Sequence, residues 1–325
     1  MKVHKAAVAT AAIVLSVSTA GCSSDAEDSP ATDSGTPMSL RLAVAAPGLA
    51  FLQLYIADDQ GFYEDRNLDV EFVSVDGSAA ATAALQSGSA DATVSLPEGA
   101  ITAVAAGAPL TIIGTTVDKN LYKMYGSAGM TSLDDLAGQS IAMLTEGNGT
   151  EIQARRVLDE EGAGADQSTY VATGALPNRL AAISEGQAAG TLLFPPFDLL
   201  ADQAGLPQLY DLADLGVDYP NEVIAVASDT VEEKSEALEA FMDALTEASA
   251  FIQSDFDKAV DIGVQVTGSP EEQVRPSLEG MLDDFSDDLS VSDESLESVL
   301  DSLEQYGSLG SLPTVEDLYD DRFIG

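Results

Sequence analysis

Two neighbouring segments decide the fold that we expect: SLDDLAGQSIAMLTEGNGTEIQARRVLDEEG at residues 132–162 and STYVATGALPNRLAAISEGQAAGTLLFPPFD at residues 168–198. A short apolar run at 141–144 ends in a loop that contains Gly147, Asn148 and Gly149, and a helical pattern follows at once. The strand patterns at 169–171 and 191–194 also lead into helix starts. Such a βαβ series predicts a mostly parallel sheet whose strand ends line one crevice.

The preceding part of the chain repeats this alternation, and we expect it to supply the second wall of the crevice. Strand patterns at 40–45, 69–75, 92–94 and 110–116 alternate with loops and helices. The sequence Ser95-Leu96-Pro97-Glu98 predicts a capping box, in which Ser95 and Glu98 bond the first turn of a helix. A strand pattern at 222–227 and a helical tail follow. The predicted fold is therefore α/β with two lobes, two hinge crossovers and a helical tail packed on the first lobe.

An internal echo supports two lobes that are built alike. We call residues 83–99, AALQSGSADATVSLPEG, the first corner and residues 181–197, AAISEGQAAGTLLFPPF, the second corner. Each reads as a helix end, a glycine, a polar turn, a strand and a helix that starts near a proline. Their glycines, Gly88 and Gly186, occupy the same place in this pattern, which indicates two lobes with one plan.

The N-terminus has the pattern of a secretory signal. Lys2 and Lys5 precede an apolar run at 6–17, and small residues lead to Cys22, the only cysteine of the chain. This arrangement resembles a bacterial lipobox, which would make Cys22 the lipidated first residue; plain secretion with a free thiol is the alternative. We expect a signal peptide at 1–21, a flexible tether at 22–37, the first lobe at 38–124 and 223–325, and the second lobe at 125–222.

Composition excludes several classes of function. The chain has 55 acidic and 13 basic residues and a formal net charge of −42, so a nucleic-acid backbone would be repelled. We interpret the scattered acids as a solvated surface suited to salty surroundings. The only histidine, His4, lies in the signal, so Ser-His or Cys-His catalysis and a histidine or cysteine metal site are not expected. No cofactor or metal is expected, and a secreted hydrolase is a remote alternative.

Several phrases resemble one family in the same order. They are GFYEDRNLDVEFVSVDG at 61–77, ALQSGSADATVS at 84–95, AAGAPLTIIG at 105–114, SLDDLAGQSIAM at 132–143 and AAISEGQAAG at 181–190. The family is that of solute-binding proteins of ABC importers which includes nitrate, sulfonate, taurine and thiamine-pyrimidine receptors. The resemblance implies a type 2 periplasmic-binding-protein fold, a monomer without enzymatic activity, an ABC permease as partner and a lipid-anchored place outside the cytoplasmic membrane. A departure is Ala189, where the family commonly has an aspartate. A sensor that signals to a membrane kinase is the competing class.

The candidate ligand-binding residues lie in the loops that should meet at the crevice. They are Gly48, Phe51, Gly77, Ser78, Ser95, Glu98, Glu146, Gly147, Asn148, Gly149, Thr150, Pro196 and Phe197. For most of them the alternative is a cap or a core position. The loops contain acids but no lysine or arginine, so we expect a neutral or amine-bearing solute such as an aminopyrimidine or another nitrogen heterocycle. A sulfonate, taurine or nitrate held by helix N-termini is the alternative.

Overall fold

The structure is a computed structural model, and it describes residues 36–44, 48–75 and 77–325. The expected signal peptide, Cys22 and all but the last two residues of the tether lie outside the described residues. Within these residues the chain forms ten strands: β1 (Met38–Val44), β2 (Leu68–Ser74), β3 (Ala92–Ser95), β4 (Leu110–Val117), β5 (Lys123–Gly126), β6 (Ser140–Met143), β7 (Thr169–Ala172), β8 (Gly190–Leu193), β9 (Gln208–Asp211) and β10 (Glu222–Ala227).

The strands form two five-stranded sheets of the same plan. The first has the order β2-β1-β3-β10-β4 and the second the order β7-β6-β8-β5-β9. In each sheet four strands run parallel, and the fourth in the order, β10 or β5, runs antiparallel to both of its neighbours. Each antiparallel strand is the first one that the chain enters after it changes sheets. The predicted two-lobed α/β fold is confirmed, and the predicted parallel sheets are correct for four strands of each.

Twelve α-helices lie among the described residues. They are α1 (Leu52–Asp59), α2 (Gly77–Gln86), α3 (Pro97–Ala105), α4 (Gly149–Glu160), α5 (Leu176–Ser184), α6 (Phe197–Gln203), α7 (Ser228–Glu233), α8 (Ser235–Ser254), α9 (Phe256–Thr267), α10 (Glu271–Met281), α11 (Asp293–Tyr306) and α12 (Val315–Leu318). Short 3-10 turns occur at Leu49–Phe51, Glu64–Arg66, Leu133–Leu136, Ala165–Gln167, Leu212–Leu215 and Asp321–Phe323.

Alternation along β1 explains how the first sheet buries both faces. Leu40, Leu42 and Val44 point into a core with α1 and the tail helices α8, α9 and α10. Ala43 points to the other face, into a core with α2, α3 and α11. Because side chains alternate across a strand, helices can cover both faces of the sheet, as a mostly parallel sheet requires.

Two crossovers connect the lobes, which we name by their sheets. The chain leaves the first sheet after Val117, enters the second at Lys123, leaves it after Asp211 and returns at Glu222. The exact lobe limits expected from the sequence remain a prediction. The described part of the chain contains no helix with the length and apolarity that a membrane span requires.

Candidate functional site

A cavity of about 380 Å³ lies between the two lobes, and we call it the main cleft. Its lining comes from the edges of both sheets, where strands end and helices begin. The lining residues are Phe51, Val75, Gly77, Ser78, Ser95, Leu96, Tyr122, Leu144, Thr145, Gly174, Ala175, Leu176, Arg179, Phe194 and Glu222. The cleft therefore has an apolar wall with a few polar groups, which is typical of a small-molecule site.

Arg179 is the cationic side chain in this lining. It occupies the buried face of α5 together with Ala182 and Ile183, and only 3% of its surface is exposed. One of its amino groups (Nη1) donates to the Leu192 carbonyl oxygen at 3.0 Å. Burial lowers the pKa of Arg179, and the nearby Tyr122 hydroxyl partly offsets this. The crevice loops contain no lysine or arginine, as the sequence analysis states, and Arg179 enters the lining from the first turn of α5.

Glu222 supplies an acidic group to the same cleft. It is the first residue of β10 and is 4% exposed, and the Asn221 side-chain amide donates to its Oε1 at 3.2 Å. Burial raises the pKa of Glu222 well above its ordinary value, and the charge of Glu98 raises it further. Both Arg179 and Glu222 affect the pKa of Tyr122. Burial raises this pKa, the charge of Arg179 lowers it and the charge of Glu222 raises it.

Glu98 makes a different set of contacts from those that the sequence predicted. Its Oε1 accepts hydrogen bonds from the Gln153 amide and from the Tyr219 hydroxyl, both at 2.9 Å. The predicted capping box is wrong, because Ser95 remains in β3 and the residue before α3, Leu96, makes no side-chain cap. Glu98 thus connects α3 of the first lobe with α4 of the second and with the return crossover. Burial raises its pKa, and these hydrogen bonds partly lower it.

The loop before α4 faces Glu98. A Cβ on Gly149 would lie 2.6 Å from the carboxyl carbon of Glu98, so a larger residue here would require the Glu98 carboxyl to move. Asn148 caps the helix by accepting a hydrogen bond from the Glu151 backbone at 3.3 Å, and Thr150 donates to Asn148 at 2.9 Å. The Glu98 side chain therefore approaches the N-terminus of α4, where the sequence analysis expected a ligand.

The thirteen candidate residues fall into three groups. Those that line the main cleft are Phe51, Gly77, Ser78 and Ser95. Those that line an adjoining side cavity of about 280 Å³, which shares Ser78 and Thr145 with the main cleft, are Glu98, Glu146, Gly147, Asn148 and Gly149. Those outside both linings are Gly48, Thr150, Pro196 and Phe197. Their role in ligand binding remains a prediction.

Eleven of the fifteen main-cleft residues are not among the sequence candidates, and they include Tyr122, Arg179, Phe194 and Glu222. Two of them carried a signal. Arg179 shares its helix face with Ala182 and Ile183, and a charge on an apolar face is a candidate site residue. Glu222 begins the otherwise apolar strand EVIAVA. Tyr122 and Phe194 become neighbours only in the fold, where their rings meet edge to face at 5.1 Å.

A third cavity, also of about 380 Å³, lies between α6 and α10 and is strongly acidic. Its lining includes Asp198, Asp202, Asp211 and Asp284, with Lys123 paired to Asp198 at 2.8 Å. Burial raises the pKa of Asp284 to about 6. In residues 36–44, 48–75 and 77–325 no three His, Cys, Asp or Glu side chains are grouped so that they could hold a metal ion.

Known structures share this architecture. The alkanesulfonate-binding protein SsuA from Xanthomonas axonopodis pv. citri bound to MOPS has a TM-score of 0.75 and 18% identity, covering 88% of this chain and 99% of that one. The zinc-bound ligand-binding component of an ABC-type import system from Staphylococcus aureus has a TM-score of 0.75 and 16% identity, covering 88% and 97%. The periplasmic nitrate-binding protein NrtA from Synechocystis PCC 6803 has a TM-score of 0.63 and 17% identity, covering 75% and 70%. At these identities the likeness concerns the fold.

The sequence also matches a family. Residues 49–259 match the family described as NMT1/THI5 like, which is more than half of the chain. The chain belongs to this NMT1/THI5-like family. Comparison with curated proteins gives no significant match.

Proposed function

We propose that the chain is an extracytoplasmic solute-binding protein that captures a small organic solute in the main cleft and delivers it to the permease of an ABC importer. The observation that supports this most directly is the cleft itself. It is a mainly apolar cavity with a few buried polar groups in its lining, and it lies between two lobes that are joined by two crossovers. The functions of the structural neighbours, which include sulfonate binding, nitrate binding and ABC import, support the same proposal.

The ligand has two candidate chemistries. A nitrogen heterocycle such as an aminopyrimidine suits the aromatic walls, Phe51, Tyr122 and Phe194, and the acid Glu222. A sulfonate, taurine or nitrate is favoured by one specific observation, the buried Arg179, because a guanidinium binds oxyanions strongly. The argument for a neutral or cationic solute considered only the loops and is weakened by Arg179, although the heterocycle itself stays a candidate.

We propose a binding role without catalysis. Ser78 and Ser95 line the cleft, but the chain has no histidine after His4 that could activate them as nucleophiles. A ligand sensor that signals to a membrane kinase would use the same cleft. The two roles differ in transport: a strain without this chain should lose uptake of the labelled solute if the chain serves an importer.

Native mass spectrometry of the purified protein tests solute capture. We expect a small organic adduct on the folded protein that dissociates on denaturation and exchanges with added solute. As a control, the same preparation is measured after dialysis from denaturant and refolding, which should leave the apo mass. A protein that carries no adduct from cells, and that binds no compound of the solute class in calorimetry, would contradict the proposal.

The lipid anchor is the second part of the proposal. Replacing Cys22 by Ser should release the protein from the membrane into the soluble extracytoplasmic fraction, because the acylated residue would be lost. Membrane and soluble fractions are compared by immunoblot for the wild type and the Cys22→Ser variant. Retention of the variant on the membrane would contradict lipid anchoring and leave the solute-binding proposal untouched.

A further inference from the structure

Three side chains in the lining of the main cleft each have a buried polar atom without a hydrogen-bond partner. The atoms are Oγ of Ser95, Nε of Arg179 and Oε2 of Glu222, on side chains that are 3%, 3% and 4% exposed. Buried polar groups are nearly always hydrogen-bonded, so the three unpaired ones in the lining of a single cavity are candidates for contacts with a ligand. They also differ in character, with a donor, an acid and a hydroxyl, which constrains the ligand.

Arg179 calls for an anionic group. No carboxylate in the described part of the chain forms an ion pair with it, and its polar neighbours within the fold are the Leu192 carbonyl and the Tyr122 hydroxyl. A buried guanidinium without a counter-ion is unfavourable, and a carboxylate, sulfonate or phosphate group is its natural complement. Ser95, on the facing lobe, can donate its hydroxyl to the same group.

The carboxyl group of Glu222 is complementary to a nitrogen on the ligand. Asn221 donates to Oε1 of this carboxyl, so Oε2 is the atom left for a ligand. Burial raises the pKa of Glu222, which favours sharing a proton with a basic ring nitrogen. The hydrogen bond has the same partners whether the proton lies on Oε2 or on the ligand nitrogen.

The same cleft also has apolar and aromatic walls. Phe51, Leu96, Tyr122 and Phe194 line the cleft along with the polar groups, and they favour a flat, apolar body. A cavity of about 380 Å³ is in the range of sites for whole organic molecules, which begins at roughly 300 Å³, and a bare nitrate would leave most of it empty.

We propose, on the basis of the proposed solute-binding function, that the ligand is a nitrogen heterocycle that carries an acidic oxyanion substituent. Arg179 and Ser95 hold the oxyanion, Glu222 bonds the ring nitrogen, and the aromatic side chains contact the ring. The cleft thus selects solutes that present both groups on one rigid body, and it disfavours a solute with either group alone.

Calorimetry with small probes tests the two-ended requirement on the purified full-length mature protein, dialysed free of solutes. The two-ended probes are the pyridine-2-, pyridine-3- and pyridine-4-carboxylates; the one-ended probes are benzoate, which lacks the nitrogen, and pyridine-3-carboxamide, which lacks the acid. We expect at least one pyridinecarboxylate to bind at least tenfold more tightly than either one-ended probe. Equal or tighter binding of a one-ended probe, or no binding of any pyridinecarboxylate, would overturn the inference.

Variants of Arg179 and Glu222 test which residue binds the oxyanion of the ligand and which binds its ring nitrogen. Arg179→Gln should weaken pyridinecarboxylate and benzoate alike by at least tenfold, with partial recovery in Arg179→Lys. Glu222→Met should reduce the best pyridinecarboxylate to the affinity of benzoate while benzoate binding is unchanged, which also demonstrates that the cleft is folded. The matched controls Arg322→Gln and Glu232→Gln remove an exposed ion pair outside the cleft lining and should change neither affinity. Equal losses for both probes in Glu222→Met would contradict the assignment of the nitrogen.

The outcome can be separated from that of the proposed function. If native mass spectrometry finds a co-purified solute that lacks either the acid or the ring nitrogen, the inference is overturned and solute capture stands. If the protein carries no solute and binds no probe, the proposed function fails as well.

Discussion

The two corners are alike in backbone and differ in the charges that they carry. Gly88 and Gly186 both have φ of +69°, and each precedes a strand with a buried threonine. Thr93 donates to the Ala43 carbonyl and Thr191 donates to the Ala142 carbonyl, both at 2.8 Å. The sequence echo therefore extends to a hydrogen bond between each corner strand and its parallel neighbour.

The first difference is an ion pair that only the first corner has. Asp91 accepts hydrogen bonds from Arg41 at 2.7 Å and from Lys234 at 2.8 Å. The backbone N–H of Asp91 donates to the Arg41 carbonyl, as that of Ala189 donates to the Ser140 carbonyl. Where the first lobe has an arginine and an aspartate, the second has Ser140 and Ala189. The absent acid at position 189 is thus accompanied by an absent cation, so neither is left buried and unpaired.

The second difference lies one turn into the helix before each corner strand. By the corner alignment, Ala81 of α2 and Arg179 of α5 occupy equivalent places, and both are buried. The first lobe uses this place for helix packing, whereas the second turns it into the cationic position of the main cleft. The same backbone plan therefore places a core residue in the first lobe and a cleft-lining cation in the second.

The largest expected effect comes from breaking the ion pair. Asp91→Ala should lower the free energy of unfolding by about 3 kcal/mol, because three hydrogen bonds to Arg41 and the Lys234 contact lose their acceptor. Chemical denaturation at neutral pH measures it. The pKa of Asp91 is lowered in the fold, so its stabilisation is present above the unfolded pKa of about 3.8 and is lost as pH falls through the lower folded pKa.

Introducing the arginine–aspartate pair into the second lobe tests whether the two corners are equivalent at this position. Ala189→Asp alone should destabilise the second lobe, because its carboxyl would have Ser140 in place of an arginine. Adding Ser140→Arg should recover part of that loss, and the double-mutant cycle gives the coupling. Additive effects of the two substitutions would mean that the corners are not equivalent at this position.

An intermediate effect is expected at Glu98. Its contribution to stability should change with pH in the direction opposite to that of Asp91. Because burial raises the pKa of Glu98 in the fold, stability should fall as pH rises from the unfolded pKa of about 4.5 through the higher folded pKa. Glu98→Gln keeps an oxygen for Gln153 and Tyr219 and removes the charge, so we expect it to be more stable than wild type by about 1 kcal/mol or more at pH 8. Denaturation at pH 4 and pH 8 measures this, and a gain that is the same at both pH values would contradict the charge argument.

The smallest expected effect tests what the corners share. Thr93→Val and Thr191→Val each remove one buried hydrogen bond of 2.8 Å and leave a strand carbonyl with one acceptor site unfilled. Each should cost about 1 kcal/mol in denaturation experiments, since the two geometries match. A difference well beyond that value between the two variants would show that the equivalence is only one of backbone shape.

Much of the fold could be predicted from the sequence because it follows from local periodicity. The βα alternation, the paired glycines and the apolar strands define two lobes without any tertiary knowledge. The capping box failed because tertiary pairing prevailed over local chemistry: Ser95 pairs with Val223 of β10 and so stays in the strand. Local pattern alone gives no information about that partner, which lies more than a hundred residues away.

The site could be predicted only in part, for a related reason. Ser78 and Ser95, which lie at the start of a helix and at the end of a strand, follow from the rule that ligands bind at the carboxyl ends of parallel strands. Arg179 lies within a helix, and its exposure to the cleft depends on how α5 meets the opposite lobe. Glu98 is in a loop-to-helix position as expected, but Gln153 and Tyr219 take its hydrogen bonds. Which polar groups remain free for a ligand is therefore a tertiary property.

The place of β10 in the first sheet has a consequence for how the protein folds as it emerges. This strand lies between β3 and β4 and hydrogen-bonds to both, yet the chain makes it only after all five strands of the second sheet. The second sheet is continuous in sequence from β5 to β9, so it can close as soon as those residues are available. The first sheet cannot be completed until β10 is available after the return crossover. Until then β4 lacks its neighbouring strand. Long-range pairing of this kind is slow, so the first lobe should complete its sheet last and expose β4 for the longest time.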